Sequence, residues 1–161
     1  MSASTSKRPE ISVIVCHHKG DFIYKFVESV KAQNFGLGVE IIIVTSDPDL
    51  AWDGIPGCHV YSGPALPAAK RNLGAKVAKG YYLGFFDDDV ELEPDCLKNL
   101  WETNFPDCMT FGKLYNMEHK NRFDEAGGFL TWTGFLWSRA GQNEIDDGQY
   151  DEVEPILAGK S

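Results

Sequence analysis

The feature that most constrains the fold is the run Val39-Glu-Ile-Ile-Ile-Val44, which is apolar at almost every position. A strand with one side in water alternates apolar and polar residues, whereas a strand buried on both sides is apolar nearly throughout. Burial on both faces is typical of a parallel sheet that carries helices above and below. The run therefore predicts a strand inside an α/β sheet.

Short apolar runs alternate with amphipathic segments through the first hundred or so residues. This alternation is the signature of an open, mostly parallel sheet flanked by helices. A break follows: residues 113–150 are rich in glycine and show no clear strand or helix. The pattern predicts strands over 11–16, 39–44, 58–61 and 81–86, a helix capped by Asp21, a helix over 68–79 ended by Gly80, a helix opened by Pro94, and a further strand over 108–111.

Polar groups follow three of the predicted strands, at the point where each strand ends. In open α/β sheets ligands bind beyond the carboxyl ends of the strands, so these groups are the first candidates for chemistry. They are His17-His18, Thr45-Ser46-Asp47 and Asp87-Asp88-Asp89.

The strongest of these signals is the acid triplet Asp87-Asp88-Asp89, which directly follows the aromatic run Tyr81–Phe86. Adjacent carboxylates repel one another unless a cation lies between them. A solvated acidic loop is the ordinary explanation of such a run. The position at the ligand edge of the sheet favours a metal or nucleotide role instead.

Composition narrows the classes of function. The chain has 161 residues, with 24 acidic against 15 basic residues and a formal net charge of -9, which argues against non-specific nucleic-acid binding. No segment approaches the roughly 18 consecutive apolar residues of a membrane-spanning helix. The four cysteines are scattered without zinc-type spacing, which favours a reduced, cytoplasmic protein without disulfides.

Taken in order, several motifs resemble a known family. They are Ser12-Val-Ile-Val15, Glu40-Ile-Ile-Ile-Val44, Lys70-Arg71-Asn72-Leu-Gly74 and Phe86-Asp87-Asp88-Asp89. Over about residues 11–105 the chain resembles the N-terminal portion of a family 2 glycosyltransferase. The resemblance implies the A-type nucleotide-sugar-binding fold, a Rossmann-like α/β sheet.

The resemblance also implies roles for individual residues. The acid triplet lies where the family has its D-x-D motif, so Asp89 would ligate Mg²⁺ or Mn²⁺, with Asp87 beside it. The nucleotide-sugar site would comprise Thr45, Arg71, Asp87, Asp88 and His17. Thr45-Ser46 stands where the family commonly has a base-recognising aspartate, and Cys16-His17-His18 replaces the usual Pro/Thr-Tyr-Asn turn, so the base stays open.

Three regions are expected from this comparison: a polar leader at 1–10, a nucleotide-sugar-binding domain at 11–112, and the start of an acceptor-binding region at 113–161. That last region looks incomplete, because the family's general base would lie beyond Ser161. Its aromatic cluster, Phe129 to Trp137, is consistent with core, a stacking platform for an acceptor sugar, or a membrane-facing patch.

The leading functional hypothesis is an inverting, metal-dependent sugar transfer from a nucleoside diphosphate to a saccharide or lipid-linked acceptor. Such a reaction belongs to polysaccharide or glycolipid assembly, and a peripheral association with the inner face of the membrane is compatible with it. One alternative is a fragment that binds the nucleotide sugar without catalysis. Another is a phosphotransferase of the haloacid dehalogenase type with Asp87 as nucleophile, disfavoured because Glu91 stands where that motif has Thr or Val.

Overall fold

A computed structural model describes residues 8–156, which divide between Leu97 and Lys98 into two compact units. Most of the predicted polar leader therefore lies outside the described residues, and the side chains of residues 51–53 are also outside them. The first unit alternates strands and helices, with the last helix crossing the boundary. Its elements are β1 Ile11–His17, α1 Phe22–Lys31, β2 Val39–Thr45, α2 Pro48–Asp53, β3 His59–Ser62, α3 Pro67–Val77, β4 Tyr82–Asp87 and α4 Cys96–Glu102.

The four strands form one parallel sheet in the order β3-β2-β1-β4, with β1 and β2 in the middle. Helices flank this sheet, so the predicted Rossmann-like α/β fold class is confirmed. The apolar run that predicted a doubly buried strand is β2, and Ile41 to Thr45 within it are buried.

Two apolar clusters pack on the sheet, because successive strand residues point to opposite faces. On one face the buried side of α1 meets odd-numbered residues of β1 and β2. On the other face α3 contributes Leu73 and Val77 against even-numbered strand residues. The buried members of the first cluster include Val13, Val15, Ile23, Phe26, Val27, Val30, Ile41 and Ile43, and those of the second are Ile14, Ile42 and Val44.

Helix ends differ in part from the sequence prediction. Asp21 occupies the N-cap position of α1, but its side chain makes no capping hydrogen bond. Helix α3 ends at Val77 rather than near Gly80. The Gly80 N–H instead donates to Ser12 Oγ at 2.7 Å and to Glu40 Oε1 at 3.1 Å, which ties the connection after α3 to β1 and β2.

The second unit contains short antiparallel pairs where no strand was expected, and residues 108–111, expected as a strand, form none. Strand β5, Leu114–Tyr115, pairs with β6, Phe123–Glu125, and β7, Gly128–Leu130, pairs with β8, Leu136–Ser138. Each strand has only two or three residues, too few for a period of two to show in the sequence. Phe123, Ala126 and Ala140 form the buried core of this unit.

The β7–β8 hairpin exposes apolar side chains on both of its faces. Phe129 pairs with Trp137 on one face, Leu130 pairs with Leu136 on the other, and Trp132 in the turn is 97% exposed. Within residues 8–156 this hairpin is therefore not core, contrary to one of the three expectations for the aromatic cluster. No helix in the described part of the chain is long and apolar enough to cross a membrane.

Candidate functional site

The carboxyl ends of the parallel strands place the predicted polar groups in one row across the sheet. His17 at the end of β1 is in register with Thr45 at the end of β2, and Thr45 is in register with Ser62 of β3. On the other side of β1, Cys16 is in register with Asp87, the last residue of β4. The fold thus brings together the three sheet-edge groups that the sequence singled out.

The first acid of the triplet, Asp87, is half-buried and paired with a cation from α3. Arg71 Nη2 donates to Asp87 Oδ1 at 2.8 Å. Burial raises the pKa of Asp87 above its usual value, and Asp89 and Asp88 raise it further, while Arg71 lowers it. The structure gives Asp87 Oδ2 no partner among the described residues, so this oxygen is available to a ligand.

The second acid, Asp88, contacts the end of β1. Its Oδ2 lies 2.5 Å from His17 Nδ1, and the His17 side chain is 1% exposed. Because a carboxylate oxygen only accepts hydrogen bonds, Nδ1 carries the hydrogen. The sequence placed His17 just after the first predicted strand and the resemblance assigned it to the nucleotide-sugar site, whereas the structure makes it the last residue of β1 and buries its imidazole against the acid turn.

The third acid, Asp89, is exposed and makes no hydrogen bond or ion pair within residues 8–156. The described residues also contain no group of three or more His, Cys, Asp or Glu side chains placed to hold a metal ion. A cage built from protein alone is therefore absent from this part of the chain. Magnesium usually binds through one or two carboxylates together with substrate phosphates, and Asp89 with the free oxygen of Asp87 fits that donor set.

A buried lysine connects the ends of β1 and β2. Lys70 of α3 is 2% exposed, and its ammonium donates to the carbonyl oxygen of His17 and, at 3.1 Å, to Ser46 Oγ. Ser46 Oγ also lies 2.9 Å from His18 Nδ1, and the His18 side chain is exposed. Sequence reasoning assigned Lys70 no role, although it lies one helical turn before the buried Gly74 and therefore on the same inward face.

Thr45 is fully buried, and its Oγ1 accepts the backbone N–H of Asp47 at 2.9 Å. Asp47 in turn accepts the N–H of Asp49 and caps α2. The residues after β2 therefore form a closed turn whose side chains bond to their own backbone. In this structure Thr45 shapes the sheet edge rather than presenting a side chain at its surface.

Comparison with protein families bears directly on this edge. The family model described as glycosyl transferase family 2 matches residues 12–104, more than half of the 161-residue chain. The chain belongs to glycosyl transferase family 2. Comparison with curated proteins finds no match.

The match to glycosyl transferase family 2 covers the residues at the ligand edge of the sheet. The matched residues include the ends of all four strands of the sheet, the acid triplet and α3. Enzymes of this family take nucleotide-sugar donors and acceptor substrates, and they typically use divalent cations. The resemblance seen in the sequence is therefore confirmed, and so is the fold that it implied.

Proposed function

We propose that this glycosyl transferase family 2 member transfers a sugar from a nucleoside diphosphate to an acceptor hydroxyl, with the help of Mg²⁺ or Mn²⁺. The observation that carries the proposal is the acid turn at the end of β4, where Asp87 and Asp88 are each held by a partner and Asp89 has no bonded partner within the described residues. Arg71 and Lys70 supply positive charge at the same edge in a chain of net charge -9.

The donor site would comprise Thr45, Arg71, Asp87, Asp88 and His17. Arg71, about 30% exposed, is the cation best placed to reach an anionic donor, since its guanidinium lies beside Asp87 at the ligand edge and stays partly open to solvent. Thr45 and His17 are buried and would contribute by shaping the edge.

Asp89 and Asp87 would hold the divalent cation. When bound, such a cation neutralises the charge that develops on the leaving nucleoside diphosphate. Arg71 would keep Asp87 oriented and add positive charge beside the phosphates. An inverting transfer further needs a base that deprotonates the acceptor hydroxyl, and we assign no described residue to that role.

Donor binding is tested by a thermal-shift panel of UDP-, GDP-, CDP- and dTDP-sugars, each with and without Mn²⁺. A ligand at 100 times its Kd adds about 2.7 kcal/mol to the free energy of unfolding. In a protein of this size that corresponds to a rise in Tm of roughly 5–10 °C. We expect one nucleotide to give such a shift only with Mn²⁺, and Asp89→Asn to abolish it.

Glu28→Gln is the matched control, because Glu28 is an exposed acid on α1 that forms a surface ion pair with Lys31. This variant should keep the full Mn²⁺-dependent shift. A panel without any shift, or a shift that Asp89→Asn leaves intact, would contradict the proposal.

Acceptor turnover separates the proposal from its main alternative. Saccharide and lipid-linked saccharide acceptors should yield a new glycosidic bond when incubated with the donor that binds. Mn²⁺-dependent binding without turnover on either class would instead support a chain that binds the nucleotide sugar and does not catalyse transfer by itself.

A further inference from the structure

His17 occupies an unusual place for a polar residue at a ligand edge. It is the last residue of β1, in register with the fully buried Thr45, and its own side chain is 1% exposed. A buried imidazole needs hydrogen-bonding partners, because leaving its polar atoms unpaired is costly. The partner of Nδ1 is Asp88 Oδ2, at 2.5 Å.

The backbone of His17 is fixed as firmly as its ring. The ammonium of Lys70 donates to the His17 carbonyl oxygen and to Ser46 Oγ, so it joins the turns after β1 and β2. Lys70 belongs to α3, which packs its apolar residues on the sheet. The backbone at His17 is therefore held by α3, and its imidazole is held by the acid turn that follows β4.

The three acids differ in their hydrogen-bond partners. Arg71 holds Asp87, His17 holds Asp88, and Asp89 has no bonded partner within residues 8–156. Three adjacent carboxylates repel one another, so an unheld turn would spread its side chains apart. Two of the three are instead fixed, Asp88 by His17 of β1 and Asp87 by Arg71 of α3.

We propose that His17 is a positioning residue: through its hydrogen bond to Asp88 it orients the Asp87–Asp89 turn for a divalent cation shared with a nucleoside diphosphate. Lys70 supports the same arrangement by holding the His17 carbonyl. This inference rests on the proposed function and gives His17 a defined role within the donor site, since it acts on the cation through Asp88 and not by binding the cation itself. Groups that orient metal-binding carboxylates in this way typically change metal affinity by about 10–100-fold when they are removed.

The test compares His17→Leu with His17→Asn. Leucine fills a similar volume without a donor, whereas the asparagine amide nitrogen is attached to Cγ as Nδ1 is, and can donate to Asp88. Mn²⁺ is titrated into each protein at saturating UDP, GDP, CDP or dTDP, and free Mn²⁺ is followed by its electron paramagnetic resonance signal. We expect His17→Leu to weaken Mn²⁺ binding by about 10-fold or more and His17→Asn to recover most of the loss.

Circular dichroism spectra recorded without ligand should agree for all three proteins, which a general loss of structure would not allow. Asp88→Ala removes the acceptor of the same hydrogen bond, and it replaces His17→Leu as the test variant if His17→Leu does not fold. It should weaken Mn²⁺ binding to a similar extent. In the double variant the losses should not add, because both changes remove one interaction.

Unchanged Mn²⁺ affinity in both His17→Leu and Asp88→Ala would overturn the inference. Equal weakening of Mn²⁺ binding by leucine and asparagine would also overturn it, since it would indicate a role in packing alone. If the wild-type chain shows no nucleotide-dependent Mn²⁺ binding, the proposed function fails, and this inference fails with it.

Discussion

Gly80 lies in the connection between α3 and β4, and it can approach the backbone of β1 closely because it has no side chain. A Cβ at this position would lie 2.6 Å from the backbone nitrogen of Ser12 and 2.9 Å from the carbonyl carbon of Ile11. Those atoms belong to the start of β1 and have no freedom to move aside. The same close approach allows the Gly80 N–H to reach Ser12 Oγ and Glu40 Oε1.

We therefore expect Gly80→Ala to lower the free energy of unfolding by about 2–3 kcal/mol, through the clash and the displaced hydrogen bonds. Urea unfolding monitored by circular dichroism measures the change. Gly36→Ala is the control, because a Cβ there would meet nothing within 4 Å and its φ is not positive. A loss in Gly80→Ala no larger than in Gly36→Ala would disprove the close approach.

Individual residues show where sequence reasoning succeeds at this scale. The acid triplet was predictable because an aromatic strand aims it at the ligand edge, and the structure places it there. The burial of His17 was not predictable, since the sequence could not tell that Asp88, 71 residues away, would accept its hydrogen bond. The roles given to the site residues themselves stay predictions until binding is measured.

At the scale of elements, a polar cluster holds the strands of the second unit to its acidic loop. Tyr115 Oη donates to Asp146 Oδ2 at 2.5 Å, and Lys113 Nζ donates to Asp151 Oδ1 at 2.6 Å and to Asp146 Oδ2 at 3.3 Å. The hydrogen bonds from Tyr115, from the Gly148 N–H and from Lys113 outweigh burial and lower the pKa of Asp146.

An acid whose pKa is lowered in the folded state stabilises that state above its unfolded pKa, and the stabilisation is lost as pH falls through the folded pKa. We expect Asp146→Asn to lower the free energy of unfolding by about 1–2 kcal/mol at pH 7, the usual range for a hydrogen bond to a charged group. The difference from wild type should shrink as pH falls below the ordinary pKa of an aspartate, which the side chain has in the unfolded chain, toward the lower pKa of the folded state.

Hydrogen exchange of the amides of residues 113–151, followed during a urea titration, measures the free energy of unfolding of this unit. Asp147→Asn, at the exposed neighbouring acid, should change stability little at any pH. Equal effects of the two variants, or a difference that grows toward low pH, would contradict the prediction.

The elements also show what a periodic pattern can and cannot reveal. Apart from the short helix α2, which the sequence analysis did not predict, the strands and helices of the first unit were predictable because each carries four or more residues of one period, as β2 and α1 do. The pairs β5–β6 and β7–β8 escaped prediction because strands of two or three residues carry no such period. Their formation depends on partners distant in sequence rather than on local preference.

Across the whole molecule, the central strands are much more deeply buried than the β7–β8 hairpin. The central strands β1 and β2 contain residues with essentially no exposure, such as Val13, Val15 and Ile43, whereas the β7–β8 hairpin exposes most of its apolar side chains. Elements with few buried contacts open locally at a low free energy, and central strands open only with global unfolding.

We therefore predict that amides of residues 13–15 and 42–44 exchange slowest, with protection close to the global free energy of unfolding. Amides of residues 128–138 should exchange orders of magnitude faster. Hydrogen exchange with mass spectrometry on the intact chain measures both segments in one experiment. Comparable protection in the two segments would show that the hairpin is covered in solution.

The strand order β3-β2-β1-β4 has a consequence for the time course of folding. The pairing of β1 with β2 joins segments that are near in sequence, whereas β4 pairs with β1 across most of the first unit. Pairing of β4 with β1 therefore has the larger cost in loop-closure entropy. The acid turn reaches His17 only after that step. During refolding, the capacity to bind a nucleotide should thus appear with the last, slowest phase, after most of the helical signal has returned.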